Sequence, residues 1–270
     1  MPFFMTFILP VLVFLIAGAL IGLGLAFLHE KFKAERDPRV DEVLKYLPGF
    51  NCGGCGSAGC DAFAGMLVKG GAKVAACNPC PSENKEKIGK ILGLDVTKSR
   101  KTVAVVHCAG GKGCLDKEQN YNDCRSAAEA GGAKACGSAC LGLSSCASVC
   151  KYHGIAVDKD TGAAVVNRAI CISCGACVSA CPQKIISRIP AGARVYVGCS
   201  NTLTGKEVRP VCPSGCIACG RCQKECPVQA ITVFGNLAVI DYDKCGGCEK
   251  CVAVCPTKCM VLATKERCLL

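Results

Sequence analysis

The feature that most constrains this chain is the spacing of its cysteines. Three blocks share one pattern, Cys171-x2-Cys174-x2-Cys177-x3-Cys181-Pro182, Cys216-x2-Cys219-x2-Cys222-x3-Cys226-Pro227 and Cys245-x2-Cys248-x2-Cys251-x3-Cys255-Pro256. Three occurrences are beyond chance, and a chain so patterned must fold around whatever its thiols hold. Cysteine takes 28 of 270 positions while Trp is absent and aromatics make up only 5 %. The large side chains that normally supply core burial are therefore scarce, and disulfides or metal must staple the fold. Disulfide scaffolds are mostly short and secreted, whereas close Cys-x2-Cys runs suit metal.

The repeated spacing is that of bacterial two-cluster ferredoxins, in which three close thiolates grip one [4Fe-4S] cluster and the fourth, ahead of Pro, reaches the other. The last two blocks then pair. Cys216, Cys219, Cys222 and Cys255 are expected on one cluster, and Cys245, Cys248, Cys251 and Cys226 on its mate. Between them two short apolar runs flank Gly235-Asn236, which predicts a hairpin over 231–240. Upstream, an irregular block, Cys136-x3-Cys140-x5-Cys146-x3-Cys150, has Lys151 where Pro is usual and is followed by a similar strand, turn and strand over 155–166. It is read as the mate of the Cys171 block, with Cys136, Cys140, Cys146 and Cys181 on one cluster and Cys171, Cys174, Cys177 and Cys150 on another. A fifth group, Cys52-x2-Cys55-x4-Cys60 with Cys77 as fourth ligand, is set among glycines that let the backbone close around a cluster and aim N–H groups at sulfur. Zinc is the alternative there, but it usually takes two separated pairs rather than three ligands in nine residues.

Residues 3–28 carry no charge. At a rise of about 1.5 Å per residue they would span about 39 Å against about 30 Å of hydrocarbon, which predicts a transmembrane helix. A cleaved signal peptide is disfavoured because a basic start and an Ala-x-Ala site are both missing. Lys31, Lys33 and Arg36 follow the run and nothing basic precedes it, so the remainder is expected on the cytoplasmic side of a bacterial inner membrane, in a single-pass arrangement. Gly18 and Gly22 offer a small-residue face for another helix. The formal charge of +11 suggests an anionic partner. Each [4Fe-4S] cluster with four thiolates contributes about −2, so five would leave about +1, and no basic run interleaved with aromatics points to nucleic acid.

Eight cysteines remain: Cys80, Cys108, Cys114, Cys124, Cys199, Cys212, Cys259 and Cys268. Most are expected to pack as small hydrophobes. Strands expected over 103–107 and 195–198 deliver Cys108 and Cys199 just outside the modules, so Cys108, Cys124, Cys199 and Cys212 are the set from which a sixth metal site would be drawn. His29, His107 and His153 are isolated and read as structural. There is no dinucleotide or phosphate-loop motif and no catalytic constellation, so the chain is expected to transfer electrons and to convert no substrate of its own.

The string Leu47-Pro48-Gly49-x-Asn51-Cys52-Gly53-x-Cys55-Gly56-x-x-Gly59-Cys60, followed by Cys77 and by ferredoxin modules ending in Cys255-Pro256-Thr257-x-Cys259, resembles the B-subunit family of Rnf, the ion-translocating ferredoxin:NAD oxidoreductase complexes of bacterial membranes. The likeness covers essentially the whole chain and is nearest to the longer forms with two ferredoxin modules. It implies an α+β architecture: a transmembrane helix over 1–30, a small [4Fe-4S] domain over 31–100, a first ferredoxin-like module over 101–192 and a second over 193–270. It also implies five [4Fe-4S] clusters that take electrons from reduced ferredoxin or flavodoxin and pass them to membrane-embedded and flavin-bearing subunits, coupled to Na+ or H+ export. The rival reading is a membrane-anchored reducing module serving a redox-sensing regulator or nitrogenase.

Overall fold

The computed structural model describes residues 9–31, 36–96, 100–110, 121–132 and 134–263, and within the first helix the side chains of residues 11, 12 and 14–28. Residues 3–8 of the apolar run, Lys33, Cys114 and Cys268 lie outside them.

An apolar segment without helix breakers past Pro10 forms α1 (Leu9–Lys31), whose apolar side chains, Phe14 and Leu23 among them, are exposed along its length. The expected transmembrane helix is corrected here, because no helix among the described residues is long and apolar enough to cross a membrane. Arg36 forms an ion pair with Asp41 at 3.0 Å and another with Asp61.

Three helices build the first packed unit. Asp37 caps α2 (Pro38–Tyr46) by accepting from the Arg39 N–H, and Pro38 presets the first turn. α3 (Cys60–Val68) buries Phe63, Ala64 and Leu67, and α4 (Ser82–Leu92) buries Ile88 before Gly93 stops it in the left-handed region at φ 67°. Val43, Phe63, Leu67 and Ile88 form its core, with Cys77 and Cys80 buried among them.

The rest of the chain uses one plan twice. β1 (Thr102–Val106) leads to α5 (Cys124–Glu129), α6 (Ser145–Ser148), the strands β2 (Ile155–Val157) and β3 (Ala164–Val166), α7 (Ala176–Ala180) and β4 (Ile186–Pro190). β5 (Val195–Val197) leads to α8 (Gly205–Val211), α9 (Arg221–Lys224), β6 (Ile231–Phe234), β7 (Leu237–Ile240), α10 (Lys250–Ala253) and β8 (Met260–Leu262). In each half an inner antiparallel hairpin, β2–β3 or β6–β7, is accompanied by an outer antiparallel pair, β1–β4 or β5–β8, that brings the ends of the unit together. The hairpin expected over 231–240 forms, with Gly235 and Asn236 at φ 54° and 62°, the two positive values a two-residue primed turn requires. What local patterning did not show is the outer pairing, which joins residues about 65 to 85 apart in sequence.

The units are tightly joined. Between the two halves Ala109 donates to the Gly198 carbonyl at 2.8 Å, Ser200 Oγ donates to the His107 carbonyl at 3.0 Å, and the half-buried His107 ring sits between the Val197 carbonyl and Ser187 Oγ. The Arg168 guanidinium reaches across to the carbonyls of Ala191, Ala193 and Ala263. The helical unit meets the first half where Lys151 Nζ donates to the Asn51 carbonyl at 3.2 Å and Phe50 packs edge-on against Tyr152.

Candidate metal centres

In the helical unit the loop before α3 makes its turns with Gly53 and Gly56 at φ 72° and 87°, and the Cys60 N–H donates to Asn51 Oδ1 at 2.8 Å. Those turns set Cys52, Cys55 and Cys60 along one loop, and Cys77 follows the 3-10 turn Val74–Ala76. Cys55, Cys60 and Cys77 pack in the same core. Burial pushes the Cys52 thiol up, and Cys174 of the neighbouring unit and Cys77 add to the effect. Cys80 is buried in hydrogen-bond contact with Cys77 and points its thiol at the Tyr46 and Pro81 carbonyls.

In the first half, burial raises Cys177 to about 11, with Cys171, Cys174 and Cys150 as its thiol neighbours. The structure thus brings Cys150, Cys171, Cys174 and Cys177 together. The other group differs from the sequence expectation. Cys146 is pushed up to about 12 by burial, and Cys140, Cys124, Cys177 and Cys181 crowd it. Cys124, Cys140, Cys146 and Cys181 line one cavity, while Cys136 lies elsewhere, buried against Cys212. The cause is local: five residues separate Cys140 from Cys146, and the preceding loop carries Cys136 away. Asp123 caps α5 by accepting from Arg125 and Ser126, and the Cys124 N–H donates to Ser145 Oγ, which fixes Cys124 at the vacated corner.

In the second half, burial raises the Cys222 thiol, and Cys216, Cys219 and Cys255 are its thiol neighbours. These four line one cavity together with Cys259. Cys251 is pushed up to about 11 by burial, beside Cys245, Cys222 and Cys248. Cys226 and Cys245 pack against the same core, and Cys226 Sγ accepts from the Ala230 N–H at 3.3 Å.

Such groups fit an iron-sulfur cluster. Several buried thiols that repel one another as thiolates cannot all ionise unless a cationic core compensates them. Backbone N–H groups already point at sulfur, from Ala104 to Cys171, Gly154 to Cys150 and Ala164 to Cys140 at 3.3 to 3.5 Å, which is how a protein settles thiolate charge around a cluster. No disulfide joins two described cysteines. Among the described residues no group of three or more His, Cys, Asp or Glu side chains is gathered that could hold a single metal ion.

Comparison with known proteins agrees. Residues 47–79 match the family described as "Putative Fe-S cluster", and residues 170–230 and 215–259 match "4Fe-4S dicluster domain". The first dicluster match bridges the two halves because the Cys171 and Cys216 blocks share one ligand spacing. The chain is 42 % identical over 257 residues to the B-subunit of the Na(+)-translocating ferredoxin:NAD(+) oxidoreductase complex of Acetobacterium woodii, covering 94 % of this chain and 77 % of that protein. It is 39 % identical to the B-subunit of the ion-translocating oxidoreductase complex of Methanosarcina acetivorans, covering 91 % and 94 %. It is 37 % identical to the B-subunit of the proton-translocating ferredoxin:NAD(+) oxidoreductase complex of Clostridium ljungdahlii, covering 93 % and 91 %.

Proposed function

Because this chain belongs to the B-subunit family of the Rnf ion-translocating oxidoreductase complexes, we propose that it takes electrons from reduced ferredoxin and relays them through five [4Fe-4S] clusters toward the other subunits, coupled to Na+ or H+ transport. It works at the cytoplasmic face of the plasma membrane, where a reducing milieu keeps its thiols available. Each cluster, when bound, supplies one-electron redox chemistry. Cys52, Cys55, Cys60 and Cys77 hold the first, and Cys150, Cys171, Cys174 and Cys177 the second. Cys124, Cys140, Cys146 and Cys181 hold the third. The terminal half holds two more, with Cys216, Cys219, Cys222 and Cys255 on one and Cys226, Cys245, Cys248 and Cys251 on the other.

The remaining work belongs to the chain's own residues. Among the described cysteines Cys219 and Cys248 are the exposed ones, and the exposed Arg221, Lys224, Lys250 and Lys258 stand beside their motifs, so the terminal half offers a cationic face to an acidic ferredoxin. At the far end the loop at Gly54 lies directly on the Cys174 carbonyl, and this contact carries the reading, since it makes the thiol groups of the helical unit and of the first half adjoin.

The test is iron and acid-labile sulfide on anaerobically prepared, unreconstituted chain, followed by mixing with reduced ferredoxin. At least about twenty irons with matching sulfide, bleached on mixing, is the expected result. Little iron with abundant zinc, or clusters that ferredoxin leaves oxidised, would overturn it.

A further inference from the structure

Four cysteines outside the five groups meet where the two halves join. Cys108 follows β1, and Cys199 follows the equivalent strand β5. Cys212 ends α8, and Cys136 stands in the loop displaced from the irregular block. All four line one cavity, as the cysteines of the Cys140 group and of the Cys216 group each line one of their own. Two come from each half. The backbone closes on the site because Gly198 and Gly215 carry no Cβ: at Gly198 one would fall 2.6 Å from Val261 Cγ2 and 3.1 Å from Ala109 Cβ.

The sulfurs are already met by donors. Asn201 is only 3 % exposed and gives its backbone N–H to Cys199 Sγ and its Nδ2 to Cys136 Sγ, both at 3.4 Å. Its Oδ1 accepts from the Leu203 N–H at 2.8 Å, which fixes the amide so that Nδ2 faces sulfur. A buried asparagine that turns its backbone N–H and its side-chain Nδ2 toward two of the four sulfurs lining one cavity is an arrangement suited to thiolates. The other donors come from the neighbouring groups. The Cys140 N–H points at Cys108 Sγ at 3.5 Å, and the Cys216 N–H points at Cys199 Sγ at 3.3 Å.

We propose that Cys108, Cys136, Cys199 and Cys212 bind a sixth [4Fe-4S] cluster at the junction of the two halves. It lies between the groups of Cys140 and Cys216, each of which touches it through one backbone amide, and so closes the gap between the terminal half and the first. The proposal rests on the electron-transfer reading above.

Iron and acid-labile sulfide per chain test it. The anaerobically prepared wild-type chain is expected to hold about twenty-four irons, and Cys136→Ala and Cys212→Ala each about twenty, a loss of one sixth. The paramagnetic signal of the reduced chain should fall by one spin in each variant. The wild-type count depends on no variant: about twenty irons with matching sulfide would overturn the sixth cluster while leaving the relay intact. Variants that retain the full wild-type iron would also overturn it, and a chain with almost no iron would overturn both readings.

Discussion

Gly54 and Cys174 touch through the backbone: a Cβ on Gly54 would lie inside the Cys174 carbonyl oxygen and 3.0 Å from its carbonyl carbon. Only glycine permits that approach, and it is where the helical unit meets the first ferredoxin-like half. Gly54→Val is expected to push the two apart at a cost of ~1–3 kcal/mol, as overpacking of a closed contact does. That shifts the docked-to-undocked ratio about 5- to 150-fold. Amide hydrogen exchange over 51–56 and 171–177 should rise by that factor while exchange in α4 stays unchanged. Unaltered exchange would show that the contact does not hold the units together.

Cys124 replaces Cys136 beside Cys140, Cys146 and Cys181. Cys124→Ala should therefore empty the first-half cluster and lower the iron content by about four per chain. The Cys150 group should remain, because Cys124 is not one of its members. Visible absorbance and iron analysis of the purified variant check this, and full iron retention would return the fourth corner to another residue.

How much of this was legible in the sequence follows from the range of the interactions. The Cys216 and Cys245 blocks, the turn at Gly235-Asn236 and the glycine-rich loop at Cys52 are local, and their residues announce their geometry. The site at Cys108, Cys136, Cys199 and Cys212 is assembled from four segments spread over more than one hundred residues, with no spacing to read. Cys136 misled because its distance from Cys140 imitates a ligand run, while the displaced loop is set by packing against Cys212. The apolar run at the N-terminus met the composition rule for a bilayer span, yet no described helix meets it in length and apolarity together.

Asn201 is the buried polar side chain on which the junction turns. Asn201→Ala removes the acceptor of the Leu203 N–H and the donor to Cys136 Sγ, leaving buried groups unsatisfied at a cost of ~1–3 kcal/mol. A lower denaturant midpoint for loss of the visible chromophore should result, with Asn201→Asp failing to restore it because a carboxylate places negative charge against sulfur and donates nothing. An unchanged midpoint in the Ala variant would mean that water or a neighbouring group replaces the amide.

The cationic face of the terminal half leads to a prediction about rate rather than stability. Arg221, Lys224, Lys250 and Lys258 are exposed and flank motifs whose Cys219 and Cys248 thiols are themselves exposed. Charges so placed act on an approaching acidic protein over about 10 Å at 0.1 M salt and raise association about 10- to 1000-fold where complementary. Changing all four to Glu should slow ferredoxin oxidation by a factor in that range at low ionic strength. The salt dependence should also reverse, so that the wild-type rate falls as salt rises while the variant rate climbs. Iron content should not change, because none of the four is a ligand. Stopped-flow bleaching of reduced ferredoxin across a salt series reads both effects. If rate and salt dependence were untouched, ferredoxin would have to dock elsewhere, and the exposed Cys219 and Cys248 would lose their role as the point of uptake.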